Sequence, residues 1–259
     1  MIGNLTDVNV NLSRWPFRRL PFDTTPELVK KLRSRGVAQA WAGSFDGMLH
    51  RDVASVNGRL AAQCKRHGDG LLVPFGTINP ALPDWEEDLR RCAEEHKMPG
   101  IRLHPNYHEY RLDDERFIKL LKLAGERGLI VQIAVLMEDE RTQHPLVQVP
   151  HVSVTPLADA LNKAPQARVV LLNAHRAVRG KTFLQMIATN RVWFDISNLE
   201  SVGGVKKILD QAPLEKILFG SHAPFFILES AWLKLRESDL TEEQLEAVAV
   251  TNARRLLNR

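Results

Sequence analysis

Along the chain, short apolar runs alternate with longer amphipathic stretches from one end to the other. The runs at 7–12, 37–42, 71–78, 100–104, 129–135, 168–173, 191–196 and 216–220 predict strands. Several are continuously apolar, such as Val169-Val170-Leu171-Leu172. That pattern suits parallel strands buried on both faces and not the alternation of a half-solvated sheet. Between the runs, apolar positions recur at helical spacing over 25–35, 83–96, 113–127, 155–164, 180–190 and 202–211, and two further helices are predicted over 223–237 and 241–257. The first opens on Thr25-Pro26-Glu27, a helix start signal; the second places acids early and bases late, as a helix dipole prefers.

Strands separated by helices close into a barrel or form a doubly wound open sheet. A dinucleotide-binding open sheet requires a glycine-rich turn after its first strand. Here that strand runs into Asn11-Leu12-Ser13-Arg14-Trp15-Pro16, which contains no glycine. The 259 residues also match the ~250 typical of a (β/α)8 barrel, and no linker or composition shift divides them, so residues 1–259 are read as one (β/α)8 TIM-barrel domain.

Composition narrows the partners. Lys and Arg number 35 against 31 Asp and Glu, a net charge of +4 with both signs interspersed, so no basic stripe for nucleic acid or an anionic membrane is present. No apolar run approaches the ~20 residues of a membrane span, and Met1-Ile2-Gly3-Asn4 lacks the charged-then-apolar pattern of a signal peptide. Cys64 and Cys92 have neither metal-type spacing nor the company of a disulfide framework, and nothing marks them as nucleophiles. A cytoplasmic protein acting on a small anionic molecule is the expectation. Nine histidines are the one compositional hint of chemistry.

In a barrel the active site lies at the C-terminal ends of the strands. Strand one delivers Asn9 and Asn11, two apart and so on one face. Strand four ends in Arg102, His104, Tyr107 and His108; strand five in Gln132 and Ala134, followed by the charged stretch Glu138, Asp139, Glu140, Arg141 and His144. Strand six ends at Asn173-Ala174-His175, strand seven at Asp195 and Asn198, and strand eight at Ser221-His222-Ala223-Pro224.

The order Asp7-x-Asn9-x-Asn11, then Gly100-Ile101-Arg102-Leu103-His104-Pro105, then Leu218-Phe219-Gly220-Ser221-x-x-Pro224, with Asn252-Ala253-x-x-Leu256-Leu257 at the end, resembles the amidohydrolase superfamily. The nearest branch is the amidohydrolase-2 group, which includes aminocarboxymuconate-semialdehyde decarboxylase. The resemblance runs from residue 7 to residue 257. It implies a barrel, often dimeric, with a divalent metal held by His-x-His on strand one, His on strands five and six, and Asp on strand eight. In this sequence those positions are Asn9, Asn11, Ala134, Asn173 and His222. Amide oxygen is a weak, neutral ligand for zinc, so no metal or other cofactor is expected at these positions.

Each candidate carries two readings. His222, at the position of the aspartate, serves as a metal-free base or lines a pocket against the asparagines. Arg102 and His104, on one face of strand four, capture a carboxylate, or Arg102 belongs to a buried ionic layer with Asp7 or Asp195. Asp195 is either a second general base or that partner. Asn9, Asn11 and Asn173 donate to a substrate oxygen or fill the old metal cavity with an amide network. Tyr107 and His108 join the substrate contacts. Arg14, Arg18 and Arg19, around Trp15 and Phe17, close over an anion or pack their stems at the rim. The 138–144 loop is a solvated lid or lends a carboxylate to a histidine, while His50, His67, His96 and His151 are surface residues.

Three functions follow. One is a metal-independent hydrolase of a small anionic ester, lactone or amide. Another is a catalytically inactive barrel that binds a small carboxylate or a partner. The last is a metal-dependent hydrolase or decarboxylase whose remodelled site uses His104, His222 and a carboxylate.

Overall fold

The computed structural model of the chain describes residues 4–258. Met1, Ile2 and Gly3, on which the signal-peptide reading rests, lie outside the described residues. Eight parallel strands follow one another in chain order: β1 (Leu5–Leu12), β2 (Val37–Ser44), β3 (Leu72–Thr77), β4 (Gly100–Leu103), β5 (Ile130–Ala134), β6 (Arg168–Leu172), β7 (Val192–Asp195) and β8 (Ile217–Leu218). The last returns to the first. Val8 N–H donates to the Phe219 carbonyl at 3.0 Å and Asn11 N–H to the Ala223 carbonyl at 2.9 Å, closing a (β/α)8 barrel.

Helices α1 (Thr25–Ser34), α2 (Val53–Gly68), α3 (Trp85–Arg90), α4 (Glu115–Glu126), α5 (Leu157–Lys163), α6 (Gly180–Ala188), α7 (Gly204–Leu209) and α8 (Leu228–Arg236) cover the outside. Helices α9 (Glu242–Glu246) and α10 (Asn252–Leu257) are joined by a π-helical turn at Ala247–Thr251. No helix among the described residues is long and apolar enough to cross a membrane.

Apart from the starts of β2, β3 and β6, the strands are buried on both faces, as their apolar runs require. Their outward side chains pack under the helices in one large apolar layer. Inside, the lower barrel is filled by Val8, Trp41, Phe75, Ile130, Val170 and Leu172, with Ala253 and Leu256 of α10 in the same cluster. Trp41 stacks on Phe75 at 4.9 Å between centroids. Above this apolar floor lie polar residues, and above those a second, aromatic cluster at the mouth.

Helix α2 is absent from the sequence prediction. Its apolar positions Val53, Val56, Leu60 and Cys64 hold helical spacing, and Asp52 caps it by accepting from Ser55 N–H at 3.0 Å. Gly58 and Asn57 in the middle obscure that signal; Asn57 is used for its amide, which bonds both the N–H and the carbonyl of Thr77. The predicted helices over 223–237 and 83–96 shorten to α8 and α3, the latter continuing as a π-helical turn at Arg91–Glu95. Strand β8 is also shorter than predicted, because Phe219 N–H turns to the Val248 carbonyl.

Candidate functional site

Period-two alternation on β1 sends Asp7, Asn9 and Asn11 to one side, and all three are buried. They meet Asn173, just past β6, and His222, four residues past β8. Asn173 and His222 both occupy the left-handed region, with φ of 55° and 58°. Asparagine tolerates this; histidine does so at a cost on the order of 1 kcal/mol, which the surrounding bonds offset.

Those bonds define a closed network. Asn9 Nδ2 donates to Asn173 Oδ1 at 2.8 Å and to Asp195 Oδ2 at 2.7 Å. Asn173 N–H donates to Asp195 Oδ1 at 2.9 Å, Asn173 Nδ2 to the Leu136 carbonyl at 2.6 Å, and Ser197 Oγ to Asn173 Oδ1 at 2.6 Å. His222 Nε2 lies 2.7 Å from the Met137 carbonyl, so we assign its proton there. Its Nδ1 lone pair then faces the amide nitrogens of Asn11 and Asn173, each at 3.4 Å. Burial holds the ring near pKa 4, well below an ordinary histidine, and the nearby Arg102 cation favours the neutral form further.

Arg102 occupies the layer beneath, and its five N–H groups are all spent. They donate to Gln132 Oε1 (2.8 Å), Asn11 Oδ1 (2.8 Å) and the carbonyls of Val10 (2.8 Å), Trp41 (3.0 Å) and Val8 (3.4 Å). No N–H remains to capture a carboxylate, which corrects the sequence expectation for this residue. Nor does it form a direct ionic layer: Asp7 and Asp195 interact with it only through space. A Cβ at Gly43 would stand 2.7 Å from Arg102 Cδ, so only glycine lets β2 pass the guanidinium.

Burial raises the pKa of Asp195, and both its oxygens are engaged with Asn9 and Asn173, behind those residues as seen from His222. A Cβ at Gly220 would lie 2.6 Å from Asp195 Oδ2. Asp195 thus anchors the asparagines and has no open path to a substrate. Asp7 accepts from Asn9 N–H at 3.0 Å and Ser221 N–H at 2.9 Å through Oδ1; burial pushes its carboxyl up to about 6.

His104 is different. It is completely buried, and neither ring nitrogen has a partner. Burial, with the nearby His108, Arg102 and His222, holds it neutral at pH 7. His108 donates Nε2–H to the Gly47 carbonyl at 3.0 Å, so it braces the β2 loop; its ring stacks on Tyr110. Tyr107 is half-buried and meets both His104 and Trp15 edge-on.

Trp15 roofs the mouth. It contacts Phe17, Phe45 and Phe225 edge-to-face at 5.3, 5.4 and 4.9 Å, and packs with Met48, Ala134 and Met137. Phe225 stacks flat on His222 at 5.2 Å. Arg18 lies over Phe225 and pairs with the buried Glu138 at 2.5 Å. The 138–144 stretch is therefore not a wholly solvated lid. Glu138 ties it to the loop after β1, while Asp139 pairs with Arg141 and Arg176. Arg14 points elsewhere, into an outer cleft beside Asp23 at 3.7 Å, and does not reach the mouth.

The metal implied by the resemblance fails on donor chemistry. The five positions hold three amides, a methyl group and one imidazole; Asn11 Oδ1 is held by a buried guanidinium and Asn173 Oδ1 by two donors. A divalent cation there would break those bonds for weak neutral ligands and sit beside a fixed positive charge. Among the described residues no group of three or more His, Cys, Asp or Glu is placed to hold a metal ion. That includes the suggested combination of His104, His222 and a carboxylate.

Sequence reasoning missed Ser197, the Met137 carbonyl and Phe225. Ser197 was within reach, two residues beyond Asp195 at the end of β7. The other two act through main chain and ring stacking, which leave no residue-type signal.

A family model for amidohydrolases matches residues 13–259. No curated protein matches the chain. Among solved structures, 2,6-dihydroxybenzoate decarboxylase from Rhizobium superposes with a TM-score of 0.77 at 13% identity, covering 99% of each chain. 5-Carboxyvanillate decarboxylase from Sphingomonas paucimobilis gives 0.77 at 14% identity, over 98% of this chain and 99% of that one. A dihydroxybenzoic acid decarboxylase from Polaromonas, with bound manganese and the inhibitor 2-nitroresorcinol, gives 0.74 at 12% identity, over 100% and 98%. At these identities the likeness concerns the fold.

Proposed function

Because the chain belongs to the amidohydrolase family, we propose that it is a barrel of that family which binds a small planar molecule beneath Trp15 without a metal centre. One observation carries this reading. At the family's ligand positions Asn9, Asn11, Asn173 and His222 spend their hydrogen bonds on one another, on the main chain and on Arg102 and Asp195, under an aromatic roof. Trp15 Nε1, Asp7 Oδ2 and His108 Nδ1 each lack a partner there too, but His104 has both ring nitrogens unpartnered, which makes it the anchor a ligand would use.

The aromatic cluster over the network suits a ring with hydroxyl groups better than a strong anion. Trp15, Phe45, Tyr107 and Phe225 offer ring faces and edges, and the interior guanidinium is committed. The ring compounds bound by structural relatives, 2,6-dihydroxybenzoate in a 2,6-dihydroxybenzoate decarboxylase and 2-nitroresorcinol in the Polaromonas enzyme, support that class. Resorcinol and 2,6-dihydroxybenzoate are therefore the probes for thermal shift and calorimetry. Stabilisation by resorcinol that disappears in His104→Phe is the expected result. Absence of any shift with either probe, or a stoichiometric divalent metal on which turnover depends, would overturn the reading.

A hydrolytic reading is favoured by one specific observation: His104 is neutral and unpaired, the state a general base requires. It predicts hydrolysis of small aryl esters or lactones in the presence of a chelator, abolished in His104→Phe. If the chelated protein leaves such esters untouched, the binding reading stands alone.

A further inference from the structure

A separate cleft of about 270 Å³ opens between α6 and α7, on the outer side of the strand ends. Its volume corresponds to about nine waters at ~30 Å³ each, enough for a small molecule. Val178, Phe183, Leu199 and Ile208 form apolar walls, and three polar features converge there.

The first is the start of α6, a nine-residue helix whose cap, Arg179, makes no side-chain cap bond. Its leading N–H groups carry the positive end of the helix dipole. The second is the Arg179 guanidinium, which spends Nε–H on the His175 carbonyl at 2.9 Å and keeps its terminal nitrogens. The third is His175, buried to 6% exposure, with no partner for Nε2. Its other nitrogen bonds the main chain of Asp195, so Nδ1 carries the proton and Nε2 a bare lone pair. Packing against Phe183 and Phe194 fixes the ring, and burial holds it neutral at pH 7, near pKa 4. Glu200, at the rim and 4.0 Å from Arg176, adds a negative boundary.

Two donors of positive character beside one obligatory acceptor describe an unusual host. From this juxtaposition we infer that the cleft between α6 and α7 binds a small oxyanion that carries its own O–H at neutral pH, such as inorganic phosphate. The anionic oxygens meet the α6 N–H groups and Arg179, and the O–H donates to His175 Nε2. Sulfate, of similar size and charge, has no proton to give at neutral pH and would set oxygen lone pairs against the imidazole lone pair.

The experiment compares inorganic phosphate with sulfate on the full chain at pH 7, by calorimetry and by 15N-detected histidine ring spectra. Phosphate is expected to bind about tenfold or more tighter than sulfate, because an unmet buried acceptor discriminates strongly. Arg179→Gln should weaken both ions; His175→Phe should erase the preference. Should His175→Phe fail to fold, the wild-type spectrum decides alone, since the Nε2 resonance of His175 must move with phosphate and not with sulfate. Equal affinity for the two ions, binding of neither at millimolar concentration, or an unmoved Nε2 resonance overturns the proposal.

Discussion

Asp7→Asn isolates the cost of a carboxyl group buried in the barrel wall. Asp7 is completely buried, and its Oδ1 accepts two main-chain N–H groups while Oδ2 has no partner. Desolvation is the largest influence on its pKa and raises it from 3.8 to about 6, against the lowering effect of the bonds from Ser221 and Asn9. Below pH 3.8 the group is protonated whether folded or unfolded, and its ionisation costs nothing. Between 3.8 and 6 the unfolded chain releases the proton and the folded chain keeps it, so stability falls as pH rises. Above 6 the full penalty is present. A shift of roughly two units at 1.36 kcal/mol each amounts to about 3 kcal/mol. Asparagine keeps the Oδ1 acceptor and removes the ionisation. Urea unfolding of both proteins at intervals from pH 4 to pH 8 should show the difference in ΔG moving in favour of Asp7→Asn by about 3 kcal/mol up to pH 6–7, then levelling. A constant offset from an unmet Nδ2–H leaves that slope intact. A difference that is flat with pH, or that moves against the variant as pH rises, refutes the argument.

Three further outcomes test the site. Arg102→Met leaves Gln132 Oε1, Asn11 Oδ1 and the Val10 and Trp41 carbonyls without the guanidinium, while the Val8 carbonyl keeps its bond from Gln132 Nε2–H, and should cost about 3–5 kcal/mol in urea unfolding; a loss under about 1 kcal/mol would contradict the bond count. Trp15→Ala removes the roof, so His104 and His222 should become modifiable by diethyl pyrocarbonate, with a stability loss of about 3 kcal/mol; unchanged protection would show that Trp15 does not guard the mouth. Burial pushes the thiols of Cys64 and Cys92 up to about 12, so neither should react with Ellman's reagent at pH 8 until denaturant is added.

The barrel was legible because eight apolar runs had to be buried on both faces, and only alternating helices can cover them. Asn9, Asn11, Asn173 and His222 were legible as a cluster because strand ends in a barrel converge. Their bonding was not. Whether an inward guanidinium is free or spent depends on carbonyls of other strands, and Arg102 reaches Val8, Val10 and Trp41, positions whose side chains say nothing about their oxygens. Arg14 and Arg18 look equivalent in sequence, yet the turn after β1 sends one to Asp23 outside and the other over Phe225. Helix α2 was lost to an asparagine that reads as a breaker and works as a bracket for Thr77.

Closure of β8 on β1 places the mouth network at the seam between the earliest and latest strands. Asn9 and Asn11 are made before the other members of that network, and His222 is 211 residues away from Asn11. Until the end of β8 docks, Val8 and Asn11 lack their main-chain acceptors and the asparagines lack their imidazole. On the ribosome β1 is thus an unsatisfied edge until β8 has been made, at risk of pairing with another nascent chain. The seam makes the His222 network a record of completed folding, which a ring-sensitive spectroscopic probe at that histidine would read as the final step.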